Sequence, residues 1–119
     1  MNQFDAKGTF DIVEKEIESR LQPKGYLRTK HQHHPGTFGN IYSVYEGGRG
    51  LIRFIWDGKD RRYVIRVYRK RSWFMSTFLI SVLGRNDPDQ LLKEFVLTGD
   101  DATNDDMLKQ TYGELLALS

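Results

Sequence analysis

Apolar and polar positions alternate most regularly between residues 40 and 68 of this chain. The alternation falls into three segments, 40–46, 51–56 and 62–68, each rich in β-branched and aromatic residues. Residues 47–50 and 57–60 separate the segments and contain glycine, which adopts a positive φ without a Cβ clash and favours tight turns. The pattern therefore predicts three antiparallel strands joined as a meander.

The same alternation assigns side chains to two faces of the predicted sheet. One face of the last two strands is apolar and consists of Ile52, Phe54, Trp56, Tyr63, Ile65 and Val67. The opposite face of residues 62–68 carries Arg62, Arg66 and Tyr68. An antiparallel sheet commonly has one buried and one solvated face. We therefore expect helices to cover the apolar face and the Arg/Tyr face to stay open.

A helix and a weaker strand are predicted ahead of the meander. Val13, Ile17 and Leu21 recur at four-residue spacing, which is typical of one helix face, and Pro23 ends the helix. Residues 26–32 also alternate, but they contain one aliphatic residue and several charges. That composition favours an edge strand, where charged side chains discourage association with other strands.

Helices are predicted in the C-terminal part. The Asn-Asp-Pro of residues 86–88 is typical of a helix start, and apolar residues follow at 91–96. A last helix is predicted from residue 104 or 105 through 118. Residues 73–83 fit either a short helix or a strand, and we expect the helix. The chain, 1–119, is thus predicted to be a single α+β domain: an N-terminal helix, an antiparallel meander of three to four strands, and C-terminal helices packed on one sheet face.

Charge is distributed unevenly along the chain, although the net charge is only +2. Residues 20–71 hold 13 Lys and Arg against three acids, whereas residues 1–19 and 72–119 are net acidic. Two interpretations are open: acidic helices neutralise the basic sheet beside them, or the basic sheet binds a partner.

Cysteine and long apolar runs are absent from the sequence. The absence of cysteine excludes disulfides, thiol catalysis and thiolate metal sites. The first residues lack the pattern of a secretory signal, and the most apolar run, 73–83, is too short to span a bilayer. We therefore expect a cytoplasmic protein that does not bind a membrane.

The candidates for metal or acid–base chemistry are few. His31 and His33, with His34 beside them, could bind a divalent metal from the end of a strand. No acid between residues 20 and 45 completes such a site, so a solvated loop is favoured. Tight turns favour aspartate, so Asp57 and Asp60 indicate a turn and not a catalytic pair of carboxylates. We expect no enzyme and no cofactor.

The basic sheet face is the candidate binding surface. It consists of Arg53, Arg62, Arg66 and Tyr68, with Tyr42 or Tyr45 beside them. Such residues bind phosphates and stack on bases, but they are also enriched at protein–protein interfaces. They could equally form a solvated face whose long side chains cover apolar neighbours. Because no nucleic-acid-binding motif is present, we expect a non-catalytic, protein-binding domain, with nucleic-acid binding through this face as the alternative.

Three short stretches, Phe38-Gly39-Asn40, residues 53–58 and Trp73, resemble small bacterial α+β domains that are uncharacterised or of toxin-immunity type. The resemblance implies an immunity or accessory protein that binds its partner stoichiometrically without catalytic residues. It also implies that the acidic C-terminal segment, which contains Asp100, Asp101, Asp105 and Asp106, is the face toward a basic toxin. The basic sheet departs from the acidic character of many such inhibitors.

Overall fold

The computed structural model describes residues 4–70 and 89–119. The elements are α1 (Ala6–Leu21), a 3-10 turn (Gln22–Lys24), β1 (Leu27–His34), β2 (Asn40–Glu46), β3 (Gly50–Asp57), β4 (Arg62–Lys70), β5 (Asp89–Thr98), α2 (Gly99–Ala102) and α3 (Asp105–Leu118). The five strands form one antiparallel sheet in chain order, and each strand pairs with the next. The predicted α+β class and meander are confirmed, with five strands in place of three to four.

Local signals in the sequence explain where α1 begins and ends. The Asp5 side chain accepts a hydrogen bond from the Gly8 amide at 2.9 Å and so satisfies one free donor of the first turn. Gly25, at φ 85°, has the left-handed conformation that reverses the chain after the 3-10 turn. The face formed by Phe10, Val13, Ile17 and Leu21 is buried.

The helices share one face of the sheet. Buried side chains of all three join a core with that face, which consists of Ile41, Tyr45, Ile52, Phe54, Trp56, Tyr63, Ile65, Val67, Phe95 and Leu97. The Phe10 ring stacks on Phe54 with centroids 4.3 Å apart. The opposite face, called the open face below, carries no helix in the described part of the chain. Its residues include Lys30, Tyr42, Val44, Arg53, Ile55, Arg62, Val64, Arg66 and Tyr68.

Side-chain contacts hold α3 against α1 and β5. The Arg20 guanidinium lies 4.4 Å from the centre of the Tyr112 ring. Burial, with the Glu16 carboxylate nearby, raises the pKa of Tyr112 to about 12. Lys93 donates a hydrogen bond to Glu114 at 2.8 Å, and this bond lowers the pKa of the Glu114 carboxyl.

The prediction of a helix across residues 91–96 is wrong, because this segment belongs to β5. A β-bulge opposite Val67 and Tyr68 gives β5 one extra residue, Leu92. The extra residue interrupts the alternation between Leu91 and Phe95, and Leu92 packs against the core. The resulting apolar spacing mimics that of a helix. The predictions for residues 73–83 and 86–88 lie outside the described residues.

The predicted edge strand is confirmed as β1, and all eight of its residues are exposed. It pairs with β2 along one side, with a bulge between Arg28 and Lys30. The bulge allows Arg28 and His31 to face the helix side while Lys30 lies on the open face.

Candidate binding surface on the open face

The structure brings three of the predicted binding residues together at the middle of the open face. Arg53 on β3 lies directly opposite Arg66 on β4, and its guanidinium carbon is 5.5 Å from the centre of the Tyr68 ring. The Arg53 side chain is exposed. Among the described residues, no carboxylate forms an ion pair with Arg53.

A groove of about 400 Å³ lies beside Arg53 across β1, β2 and β3. Its lining includes Lys30, His34, Asn40, Tyr42, Val44, Arg53 and Ile55. The Lys30 ammonium lies 5.6 Å from the centre of the Tyr42 ring, whose hydroxyl donates to Gln32 at 2.8 Å. The groove thus combines apolar side chains of β2 and β3 with cations from β1 and β3.

Two of the predicted arginines already have carboxylate partners. Arg66 donates to Glu94 on β5 at 2.8 Å, and this hydrogen bond raises the pKa of the Arg66 guanidinium. Arg62 lies 3.7 Å from Asp60 at the start of β4. Exposed pairs of this kind contribute little to stability, but they reduce the positive potential at that side of the open face. In the described part of the chain, by contrast, Arg53 and Lys30 have no carboxylate partner.

The tyrosines considered for this surface separate to opposite faces. Tyr42 lines the groove, whereas Tyr45 is fully buried on the helix face. Burial and the nearby Glu14 carboxylate raise the pKa of the Tyr45 hydroxyl. Tyr42 is therefore the member of this pair that can contact a ligand.

The predicted acidic residues do not join the open face. Asp101 on α2 accepts a hydrogen bond from the Thr98 amide at 3.1 Å, while its own amide donates to Thr98 Oγ1 at 3.2 Å. This capping box gives Asp101 a structural role. Asp100 is exposed beside it, on the helix that follows β5.

Of the remaining acidic candidates, Asp57 is the last residue of β3 and Asp60 lies in the turn that follows. Asp57 Oδ1 accepts from the amides of Lys59 and Asp60 at 3.1 and 3.2 Å, which is the local bonding that aspartate contributes to turns. The predicted turn is therefore present at this position.

The candidate metal ligands also separate. The prediction of a solvated loop at His33 and His34 is wrong, because β1 extends through His34. His31 and His33 lie on the helix side of β1, and His34 lies on the open face. His31 Nδ1 is 2.7 Å from Ser43 Oγ and 3.1 Å from Glu14 Oε2. Across residues 4–70 and 89–119, no three His, Cys, Asp or Glu side chains gather in a way that could hold a metal ion.

A polar cluster of Glu14, Arg28, His31 and Ser43 lies between α1 and the first two strands. Its Ser, His and Glu suggest a nucleophile with its base, but the Ser43 residue is fully buried and its hydroxyl donates to the Glu14 carboxylate. One His31 nitrogen, Nδ1, contacts both partners, whereas a catalytic histidine uses separate nitrogens for them. The Arg28 guanidinium also forms an ion pair with the Glu14 carboxylate, with Nη1 3.1 Å from Oε1. The cluster therefore ties α1 to the sheet.

Substitution Ser43→Ala is expected to lower the free energy of unfolding by about 1 to 2 kcal/mol, because a hydrogen bond to a buried carboxylate is lost while Glu14 keeps Arg28. Urea titration followed by circular dichroism measures the change. Ser19→Ala, at an exposed helix position, is the control and should have almost no effect. Equal stability of Ser43→Ala and the wild type would contradict this role of the cluster.

No helix in the described ranges is long and apolar enough to cross a membrane.

Comparison of the chain with family models, with curated proteins and with solved structures finds no match.

Proposed function

We propose that this chain is a non-catalytic binding protein whose open-face groove holds an acidic segment of another protein that carries one apolar side chain. The observation that carries the proposal is the composition of the groove. Val44 and Ile55 supply apolar surface, while Lys30 and Arg53 supply positive charge that no described carboxylate neutralises.

The size and charge of the groove support a peptide segment as ligand. Its volume of about 400 Å³ lies in the usual range of small-ligand pockets, about 300–1,000 Å³, and suits one or two side chains. A guanidinium such as that of Arg53 binds a carboxylate with two parallel hydrogen bonds. An apolar neighbour of that carboxylate would displace water from Val44 and Ile55. Stoichiometric binding of this kind agrees with an immunity or accessory role.

Arg53→Glu is expected to weaken peptide binding at least about tenfold, because charge reversal replaces attraction of a carboxylate by repulsion. The probe is a fluorescein-labelled series of Glu- and Asp-rich peptides, each with one Leu or Phe, read by fluorescence anisotropy. Binding should weaken as salt rises.

The matched control is Lys15→Glu, which makes the same charge change on an exposed position of α1. Equal loss in both variants would mean non-specific attraction to a basic protein. Peptide binding that Arg53→Glu leaves unchanged, or no binding by the wild type, would overturn the proposal.

Single-stranded nucleic acid is the second candidate for the same surface. It is favoured by the position of Lys30 beside Tyr42 and of Arg53 beside Tyr68, since cations and aromatic rings together bind phosphates and bases. It ranks second because Arg62 and Arg66 are already paired with carboxylates. Anisotropy with mixed-sequence single-stranded RNA and DNA at two salt concentrations separates the candidates. Micromolar binding that disappears at high salt and in Arg53→Ala/Arg66→Ala would favour nucleic acid.

A further inference from the structure

Two loops meet at the end of the sheet where β1, β3 and β5 finish. The β1–β2 loop contains Phe38 and the β3–β4 turn contains Arg61, and both residues have φ of 54°. They are the only residues other than glycine with a positive φ in the described part of the chain. This conformation is disfavoured for L side chains, and it is most unusual for a bulky residue such as Phe.

Both residues line the same cavity, which has a volume of about 270 Å³. Its lining includes three aromatic and three basic side chains: Phe4, Phe38, Trp56, Lys7, His33 and Arg61. A neighbouring cavity of about 230 Å³ shares Phe4, Trp56 and Arg61 with it. Two residues with a left-handed backbone conformation therefore lie at one concave site. Residues held in such strained conformations occur preferentially at ligand sites.

Backbone contacts hold Phe38 in this conformation. The Gly58 amide donates to Asn40 Oδ1 at 2.8 Å, and Gly58 packs so closely on the Phe38 carbonyl that a Cβ there would lie 1.7 Å from the oxygen. The Phe38 residue is nevertheless 67% exposed, so the strained conformation does not place its ring in the core. The fold thus holds an exposed aromatic ring at the mouth of the cavity.

The charges at the cavity indicate an anionic ligand. Lys7 is paired with Asp11 at 3.0 Å. Among the described residues, no carboxylate forms an ion pair with Arg61. This holds also for Asp100, which lines the neighbouring cavity together with Arg61. A free guanidinium beside aromatic walls suits a carboxylate attached to an aromatic ring. We propose that this cavity binds an aromatic carboxylate, either a free aromatic acid or the C-terminal aromatic residue of a peptide.

This site is distinct from the open-face groove, although Ile41 lines both. The groove is lined by Lys30, Tyr42 and Arg53, none of which lines the cavity at Phe38. Failure of one proposal therefore leaves the other standing, and Arg53→Glu should bind aromatic acids as the wild type does.

Isothermal titration calorimetry with N-acetylphenylalanine tests the proposal directly. For a ligand of about 15 non-hydrogen atoms, we expect a dissociation constant of about 1 mM. N-acetylphenylalanine amide lacks the carboxylate and acetate lacks the ring, and both should bind at least about tenfold more weakly. Absence of binding by N-acetylphenylalanine up to about 20 mM, or equal binding of acid and amide, would overturn the proposal.

Phe38→Gly and Arg61→Gly separate a ligand role from a structural one. Each removes a proposed contact and also relieves a positive φ, which glycine adopts without strain. The melting temperature should therefore stay equal or rise, while the affinity for N-acetylphenylalanine falls at least about tenfold. Unchanged affinity in both variants, or a clear fall in melting temperature with unchanged affinity, would overturn the proposal.

A peptide that ends in Phe identifies the source of the ligand. Tighter binding of the peptide than of N-acetylphenylalanine supports a peptide C-terminus in this cavity. Equal or weaker binding of the peptide, with N-acetylphenylalanine bound, supports a free aromatic acid.

Discussion

Replacement of Phe10 by alanine is expected to lower the free energy of unfolding by about 4 kcal/mol. The Phe10 residue is completely buried, and its ring stacks on Phe54 at a centroid distance of 4.3 Å and an interplanar angle of 10°. Phe54 lies on the central strand of the sheet, held by β2 and β4, so it cannot move to fill the space. The variant loses the transfer free energy of the ring and also carries a cavity.

Urea unfolding at a fixed temperature measures this loss. Ile12→Ala on the same helix is the matched control, because Ile12 is 67% exposed and its removal should change the stability by no more than about 0.5 kcal/mol. A Phe10→Ala variant within about 1 kcal/mol of the wild type would contradict the packing of α1 on the sheet.

Gly58→Ala is expected to destabilise the protein by about 3 kcal/mol, although it adds only a methyl group. That group would lie 1.7 Å from the oxygen and 2.7 Å from the carbon of the Phe38 carbonyl. Because these are backbone atoms, no side-chain rotation can relieve the clash. The loop and the turn would have to separate, which would break the 2.8 Å hydrogen bond from the Gly58 amide to Asn40.

Gly36→Ala tests whether this loss comes from the clash or from glycine itself. Gly36 lies in the β1–β2 loop, has no positive φ, and has no atom within 4 Å of an added Cβ. Its substitution should change the stability by no more than about 0.5 kcal/mol, and a less flexible unfolded chain favours a slight gain. Similar losses in the two variants, measured by thermal unfolding, would contradict the close contact at Gly58.

The central strands could be predicted because their sequence alternates and their turns contain glycine. Ile52, Phe54 and Trp56 face the helices as the alternation predicts. The fifth strand could not be predicted in this way. Its bulge at Leu92 breaks the alternation, and the preceding Asn-Asp-Pro is typical of a helix start. A single extra residue in one strand is enough to change the apparent period.

The arginines of the open face could be predicted from the sequence, but the side chains that pair with them or lie beside them could not. Alternation places Arg53, Arg66 and Tyr68 on one face, as the structure does. The pairing of Arg66 with Glu94 depends on the fifth strand, so the neutralised charge could not be foreseen. The contribution of Lys30 depends on the bulge in β1, which no turn signal specifies. Register between strands is set by tertiary packing and is weakly encoded in charged edge strands.

The order of α1, β5 and α3 along the chain has a consequence for biosynthesis. Each strand pairs with the next in order, but α1 completes its core only with residues of β5 and α3, such as Leu97 and Leu115. At about 5–20 residues per second, roughly 90 further residues take about 5 to 20 seconds to emerge from the ribosome. Through that interval the apolar stripe of Phe10, Val13 and Ile17 has no complete sheet to cover it. These apolar side chains therefore remain exposed during synthesis until β5 and α3 emerge and complete the core.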